Sequence, residues 1–146
     1  VFIGVESGSA QILKNIRKGT TPELNRKAIE ILKKYSIRVK TVFVIGLPGE
    51  TYKTIQDTEQ FIEEVQPDDL DLTVLTVYPG SHIWTHPERY DCSFGDYYHH
   101  YKGTAGEYTA TIRTKALSSE QILSERDRLE AKFLPDHIEQ WKKLHA

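Results

Sequence analysis

Apolar positions along the first eighty residues follow two alternating rhythms. Val1 to Val5, Val39 to Ile45 and Leu70 to Val77 are short, nearly continuous apolar runs, the length of strands rather than helices. Between them the apolar residues recur at helical spacing. Ser9 is placed to cap a short helix through Ile12, Leu13 and Ile16, which Gly19 ends. Thr21 as N-cap, Pro22 at the first helical position and Glu23 in the first turn start a second helix. Its inner face is predicted as Leu24, Ala28, Ile31, Leu32 and Tyr35. Thr51 opens a third helix with a buried stripe of Ile55, Phe61, Ile62 and Val65, and Pro67 closes it. Strand, helix, strand, helix, strand predicts consecutive βαβ units and parallel strands. The β-branched run Val39 to Ile45 is expected to be covered on both faces.

Beyond Gly80 the rhythm is lost. Residues 81–107 gather His82, His86, His99, His100 and Cys92 among Trp84, Tyr90, Phe94, Tyr97, Tyr98 and Tyr101, without sustained periodicity. A stretch this long is functional, mobile or partly helical, because structureless connections rarely exceed about 12–15 residues. Glu107 to Thr114 alternates and predicts one exposed-edge strand. Ser118 and Gln121 form a capping box for a helix through Ile122, Leu129 and Phe133. Pro135 kinks or restarts it, with Ile138, Trp141 and Leu144 as the last apolar stripe.

Composition narrows the picture. The chain has 146 residues, 38% hydrophobic and 27% charged, enough to bury a core without disulfides, which the single Cys92 excludes within one chain. A net charge of −2 gives no basic field, so no nucleic-acid partner is evident. No apolar run approaches the ~20 residues of a membrane helix, so no membrane partner is expected. Val1 to Val5 lacks the pattern of a secretory signal, and the expected compartment is cytoplasmic. There is no methionine, and the first residues already read as the inside of a strand. The expectation is a piece of a longer protein.

In parallel α/β proteins, ligands meet the carboxyl ends of the strands. Here those ends are Glu6-Ser7-Gly8-Ser9, Gly46-Leu47-Pro48-Gly49-Glu50 and Tyr78-Pro79-Gly80-Ser81. Glu6 is either an acceptor for paired hydroxyls, such as a ribose diol, or a helix-capping or solvent carboxylate. Lys18 is either a point charge for a ligand carboxylate or a solvated lysine in the Arg17-Lys18 pair. Gly46, Pro48 and Gly49 either let backbone amides approach an adenine or phosphate, or form a structural turn with Glu50 near the next helix. There is no GxGxxG and no GxxxxGKS/T. His82 and His86 stand at a spacing that can supply two metal ligands on a helix, but Pro87 and the irregular pattern favour ordinary surface histidines. Asp68-Asp69-Leu70-Asp71 reads as a solvated turn into the third strand.

Taken in order, GVESGSAQILKNIRKGTT, VKTVFVIGLPGET and LDLTVLTVYPGS, with an amphipathic helix in each gap, resemble the second half of a radical S-adenosylmethionine (SAM) domain. The likeness is to branches such as methylthiotransferases, coproporphyrinogen dehydrogenases and cobalamin-binding radical SAM enzymes, and it is strong over residues 1–83. TKALSSEQILSERDRLEAKF resembles, more weakly, the tail that follows the barrel in the cobalamin-binding branch. The resemblance implies a partial (β/α)6 barrel holding a 4Fe–4S cluster and SAM, whose reductive cleavage yields a 5′-deoxyadenosyl radical. It places Glu6, with Ser7 beside it, at a residue that contacts the SAM ribose or its surroundings, and Lys18 toward the SAM carboxylate. It places Gly46, Leu47, Pro48 and Gly49 on the adenine side, and Tyr78 at the end of the last strand, near SAM or substrate. The family's cluster is held by three cysteines in a CxxxCxxC loop, and one thiolate does not replace three.

The expected architecture is therefore α/β, half of a partial (β/α)6 TIM-like barrel. Residues 1–83 form the half-barrel, 84–107 an aromatic and histidine-rich loop, and 108–146 a C-terminal strand and helical extension. Alone, this chain is expected to bind no cluster and cleave no SAM. Its partner would be the missing N-terminal half of the barrel, and its exposed strand edges invite self-association. The substrate is not specified, and cobalamin would bind outside this chain. Two other classes stay open: a barrel enzyme of another family that binds phosphate at its strand ends, and a non-catalytic interaction domain using the aromatic loop.

Overall fold

Parallel strands need long crossovers, and the helical stretches between the apolar runs supply them. The computed structural model describes residues 1–95 and 109–134. Strand β1 (Phe2–Glu6) is followed by helices α1 (Ala10–Asn15) and α2 (Pro22–Lys34), then β2 (Lys40–Ile45), α3 (Tyr52–Val65) and β3 (Asp69–Val74). The three strands form one parallel sheet in the order β1-β2-β3. Short elements follow: α4 (His82–Thr85), a 3-10 turn at Pro87–Tyr90, and β4 (Cys92–Phe94), which pairs antiparallel with β5 (Ile112–Thr114). Helix α5 (Ser119–Phe133) ends the described chain. Tyr97, Tyr98, His99, His100, Tyr101, Glu107 and Tyr108, with everything from Pro135 on, lie outside the described residues.

The starts of α2, α3 and α5 follow their side chains, whereas Ser9 stands at the N-cap of α1 without a side-chain capping bond. Thr21 accepts from the Leu24 amide, and Thr51 and Ser118 each close a reciprocal capping box. The α3 stripe is buried as predicted, with Thr54 and Thr58 added to it. The third strand stops at Val74, three residues before the end of its apolar run, although Val77 stays buried.

Two expectations are corrected. The second strand is covered on one face, not both: Thr41, Phe43 and Ile45 are buried while Lys40, Val42 and Val44 are only partly so. The reason is that α2, α3 and α5 join a single core. Ile29, Ile55, Phe61, Ile62, Ile122 and Leu129 pack with Phe43, Ile45, Leu70, Leu72 and Val74. The other face carries Gly4, Lys40, Val42, Asp71 and Thr73, with Lys40 bonded to Asp71 at 2.9 Å.

The inner face of α2 is also different. Pro22, Asn25 and Ile29 are buried and Leu32 packs against the core, whereas Leu24, Ile31 and Tyr35 are largely exposed. Two apolar stripes overlap on this helix. Burial falls on the one containing Asn25, whose Oδ1 accepts from Thr20 at 3.0 Å.

Helix α5 is fixed to α3 by charge. Arg128 and Lys132 both reach Glu59, at 2.8 and 2.7 Å, and hold its carboxyl down to about 2, the Arg128 hydrogen bond being the largest cause. Deeper in the core, Arg126 is 2% exposed. Its Nε donates to the Leu72 carbonyl at 3.0 Å and its Nη2 to Glu130 at 2.6 Å. Removing one partner from such a buried pair strands the other charge. Glu130→Ala is therefore expected to cost roughly 3 kcal/mol, the low end for a broken buried pair because Asp127 still binds Arg126. Urea unfolding of the two proteins measures it.

Candidate active-site rim

Because the sheet is parallel, the carboxyl ends of β1, β2 and β3 share one edge. At the end of β1 the register with β2 slips between Gly4 and Glu6, and Glu6 adopts φ 67°. A non-glycine residue in the left-handed region costs about 1 kcal/mol or more and is held there by its surroundings. Here it lays the Glu6 carboxylate over the open face of the sheet, where Oε1 accepts from Lys18 Nζ at 2.7 Å. Gly4 makes room for the pair: a Cβ there would lie 2.7 Å from Glu6 Oε1 and 3.4 Å from Lys18 Nζ. The structure thus brings together the two charged residues singled out in the sequence.

Ser7 is placed otherwise than the resemblance implied. It is 1% exposed, its Oγ lies 3.1 Å from Thr58 Oγ1, and it accepts from the Ser9 amide. Its hydroxyl is committed to the contact with α3. Gly8 serves that contact too, since a Cβ there would come within 2.7 Å of α3 backbone atoms. Of the four residues Glu6 to Ser9 at the carboxyl end of the first strand, Glu6 alone faces the open side.

At the end of β2, Glu50 is 1% exposed and its Oε2 accepts from the amides of Gly46 (2.6 Å) and Leu47 (3.2 Å). Those amides are spent inside the turn and cannot cradle an adenine or phosphate. Gly46, at φ 89°, faces the core, and a Cβ on it would meet Ile112 Cγ2 at 2.9 Å. Leu47 is buried. The Pro48 carbonyl accepts from Asn15 Nδ2 at 3.0 Å, and Asn15 also fills the space where a Gly49 side chain would be. The turn is thus locked to α1; Gly49 is exposed and Pro48 is buried, and both contribute to the wall of the rim cavity.

After β3, Tyr78 is more than half exposed and Ser81 caps α4 through the Trp84 amide. The helical turn expected to be blocked by Pro87 forms before it, and Pro87 opens the 3-10 turn that follows. His82 and His86 stack at 4.7 Å between centroids, and His82 Nδ1 lies 2.8 Å from the Tyr90 hydroxyl. Asn15, Arg17, Pro48, Gly49, His82, Arg89 and Tyr90 help line a rim cavity of about 690 Å³. That volume suits a small molecule.

Two cofactors are implied by the resemblance. An adenosyl ligand with a ribose diol and an amino-acid end fits the open side of the rim, where a carboxylate and an ammonium stand together above a glycine. The cluster does not fit this chain. Cys92 is its one cysteine, and burial, with Asp91 nearby, raises the thiol's pKa, opposite to what a thiolate ligand needs. Among the described residues no three His, Cys, Asp or Glu side chains converge.

Parallel strands under one helical layer, with loops converging at their carboxyl edge, define a segment of a TIM-like α/β barrel. Coproporphyrinogen III oxidase of Escherichia coli, described as a radical SAM enzyme, shares this fold with a TM-score of 0.61 and 14% identity, over 93% of this chain and 26% of that one. Residues 1–62 match the model of the Radical SAM superfamily. An uncharacterized methyltransferase of Pyrococcus horikoshii is 36% identical over 58% of this chain and 18% of its own length. A tRNA-2-methylthio-N(6)-dimethylallyladenosine synthase of a Sulfurihydrogenibium species is 34% identical over 56% and 19%. An anaerobic magnesium-protoporphyrin IX monomethyl ester cyclase of Rubrivivax gelatinosus is 31% identical over 58% and 15%. Over residues 1–62 the chain is thus similar to the radical SAM superfamily, and it spans less than a fifth of the length of the three relatives from Pyrococcus, Sulfurihydrogenibium and Rubrivivax.

The buried roles of Glu50, Arg126 and Glu130 escaped the sequence reading, since charged residues in helical stretches read as solvent-facing. Glu50 carried one local signal, its place just before the N-cap Thr51. Burial raises its pKa from 4.5 to about 7, against the lowering effect of the Gly46 and Leu47 amides. The folded protein therefore holds this proton to higher pH than the unfolded chain. Stability falls as pH rises from about 4.5 to about 7 and levels off above, by an amount on the order of 3 kcal/mol. Glu50→Gln keeps an acceptor for both amides without the charge, so it is expected to flatten that slope. Glu50→Ala, which orphans the amides, is expected to destabilise at every pH. Thermal unfolding from pH 4.5 to 8 reads both.

Proposed function

We propose that this chain forms part of the SAM-binding wall of a radical SAM enzyme, and that Glu6 and Lys18 are its ligand-contacting charges. The observation that carries the reading is their 2.7 Å pairing over Gly4, at the carboxyl edge of a sheet whose opposite face packs against α2, α3 and α5. In such a site SAM, held against a cluster bound outside this chain, would supply the radical chemistry. Glu6 accepts hydrogen bonds from the ribose hydroxyls, and Lys18 stands close enough to Glu6 to serve the ligand's carboxylate. The buried Glu50 holds the second strand's turn in shape, and Pro48 and Gly49 present the surface of the adenine side. Tyr78 stands at the third strand's end.

The thiolates for the cluster come from outside this chain, from the half of the barrel that would extend the sheet beyond β1. Support for that partner lies beside β1, which among the described residues has a strand on one side only. Phe2, Leu24, Ile31, Tyr35 and Ile37, on β1 and on or just after α2, expose apolar surface that a neighbouring unit would cover. Without that half, the same edge favours self-association, and this chain alone cleaves no SAM.

In the full-length protein, Glu6→Ala is expected to weaken SAM binding about tenfold or more, the loss typical of a charge-assisted hydrogen bond, with the cluster's absorbance unchanged. Equilibrium binding of S-adenosylhomocysteine to the cluster-loaded protein measures it. Unaltered affinity removes Glu6 from the site.

A further inference from the structure

The rim cavity has a feature that the proposed SAM wall does not use. Arg17 and Arg89, from segments far apart in sequence, line the same 690 Å³ space. Among the described residues neither guanidinium has a hydrogen-bond or ion-pair partner. Asp91 also lines the cavity without pairing with either, so the two arginines leave the lining net positive. A guanidinium cannot shed its charge, so two of them lining one concave space without a partner among the described residues make it attractive to an anion. The segment carrying Arg17 is held in place: Arg17 adopts φ 54°, and the adjoining Lys18 amide bonds back to the Leu13 carbonyl at 3.0 Å. Arg89 sits in the 3-10 turn whose Tyr90 hydroxyl meets His82. The remaining wall is Ile16, Ile83 and Pro48, with the His82 and Tyr90 rings, so a flat or apolar body bearing an anionic group matches it.

We propose that this cavity is a substrate subsite that takes a carboxylate or phosphate group of a small molecule, held in a charge-assisted clamp by Arg17 and Arg89. Anion binding rests on the cavity alone; calling the anion part of the substrate rests on the radical SAM reading. The subsite lies on the same rim as Glu6 and Lys18, with Arg17 next to Lys18 in the chain. It would present the substrate's body toward the open side of the sheet while its charged end stays fixed.

The test is calorimetric titration of the full-length protein with inorganic phosphate and, separately, with citrate. Arg17→Gln and Arg89→Gln are each expected to weaken binding about tenfold, and the double variant to abolish it, as loss of charge-assisted hydrogen bonds requires. Lys14→Gln, an exposed cation of α1 outside the cavity, is expected to bind as the wild type does. A preference for phosphate over citrate, or the reverse, identifies which group the clamp takes. S-adenosylhomocysteine affinity is measured on the same proteins and is expected not to change. No anion binding by the wild type, or equal binding by the double variant, overturns the proposal. Displacement of the anion by S-adenosylhomocysteine also overturns it, because Arg17 and Arg89 would then hold the nucleoside ligand's own carboxylate. Arginine-dependent anion binding without any S-adenosylhomocysteine binding leaves the anion site standing and overturns the radical SAM reading instead.

Discussion

Among the described residues, α2, α3 and α5 pack on one side of the sheet. Phe43, Ile45, Leu70, Leu72 and Val74 point into a core closed by α2, α3 and α5, and the residues alternating with them point away from it. Each large apolar side chain on the covered face contributes about 1.5–3 kcal/mol when fully buried, so the register of every strand is fixed by that face. The open face is then determined by default. It receives Gly4, Lys40, Val42, Asp71 and Thr73, and it is where the bulge at the end of β1 lays Glu6. A sheet buried on both sides would have had no room for a salt-bridged carboxylate and ammonium.

The loops at the carboxyl edge divide their residues between two tasks. Ser7, Gly8, Gly46, Leu47 and Glu50 hold the turns against the helices behind them. Glu6, Lys18, Pro48, Gly49, Arg17 and Arg89 are what remains for a ligand. The buried Glu50 carboxylate matters most to the first group, because it satisfies two amides that would otherwise be orphaned in a tight turn. Holding the turn this way fixes where Pro48 and Gly49 lie relative to α1, through the Asn15 bond to the Pro48 carbonyl. The rim is thus rigid where it is buried and polar where it faces out.

Much of this was legible in the amino-acid order. Strand runs, helix caps and proline stops act locally, and Thr21, Thr51 and Ser118 cap the helices their neighbours announce. The pairing of Glu6 with Lys18 was not legible as a contact, since it depends on the bulge after Gly4 and on the way the chain returns after α1. The inner face of α2 is not legible locally, because Leu24, Ile31 and Tyr35 mark a stripe as regular as the buried one; only tertiary packing decides between them. Ser7 and Gly46 looked like ligand-facing residues because tight βα turns and nucleotide sites use the same residue types. What separates the two uses is where each polar group finds its partner, and those partners, Thr58 and Glu50, are set by the fold.

The central claim is that the Glu6–Lys18 pair marks a SAM-facing wall. The most direct test is a crystal structure of the full-length protein with its cluster and SAM bound. The account predicts the ribose hydroxyls within hydrogen-bond distance of the Glu6 carboxylate, with Lys18 near the ligand's carboxylate and the adenine beside Pro48 and Gly49. SAM bound away from the carboxyl ends of β1 and β2, with Glu6 and Lys18 still paired only to each other, would contradict it.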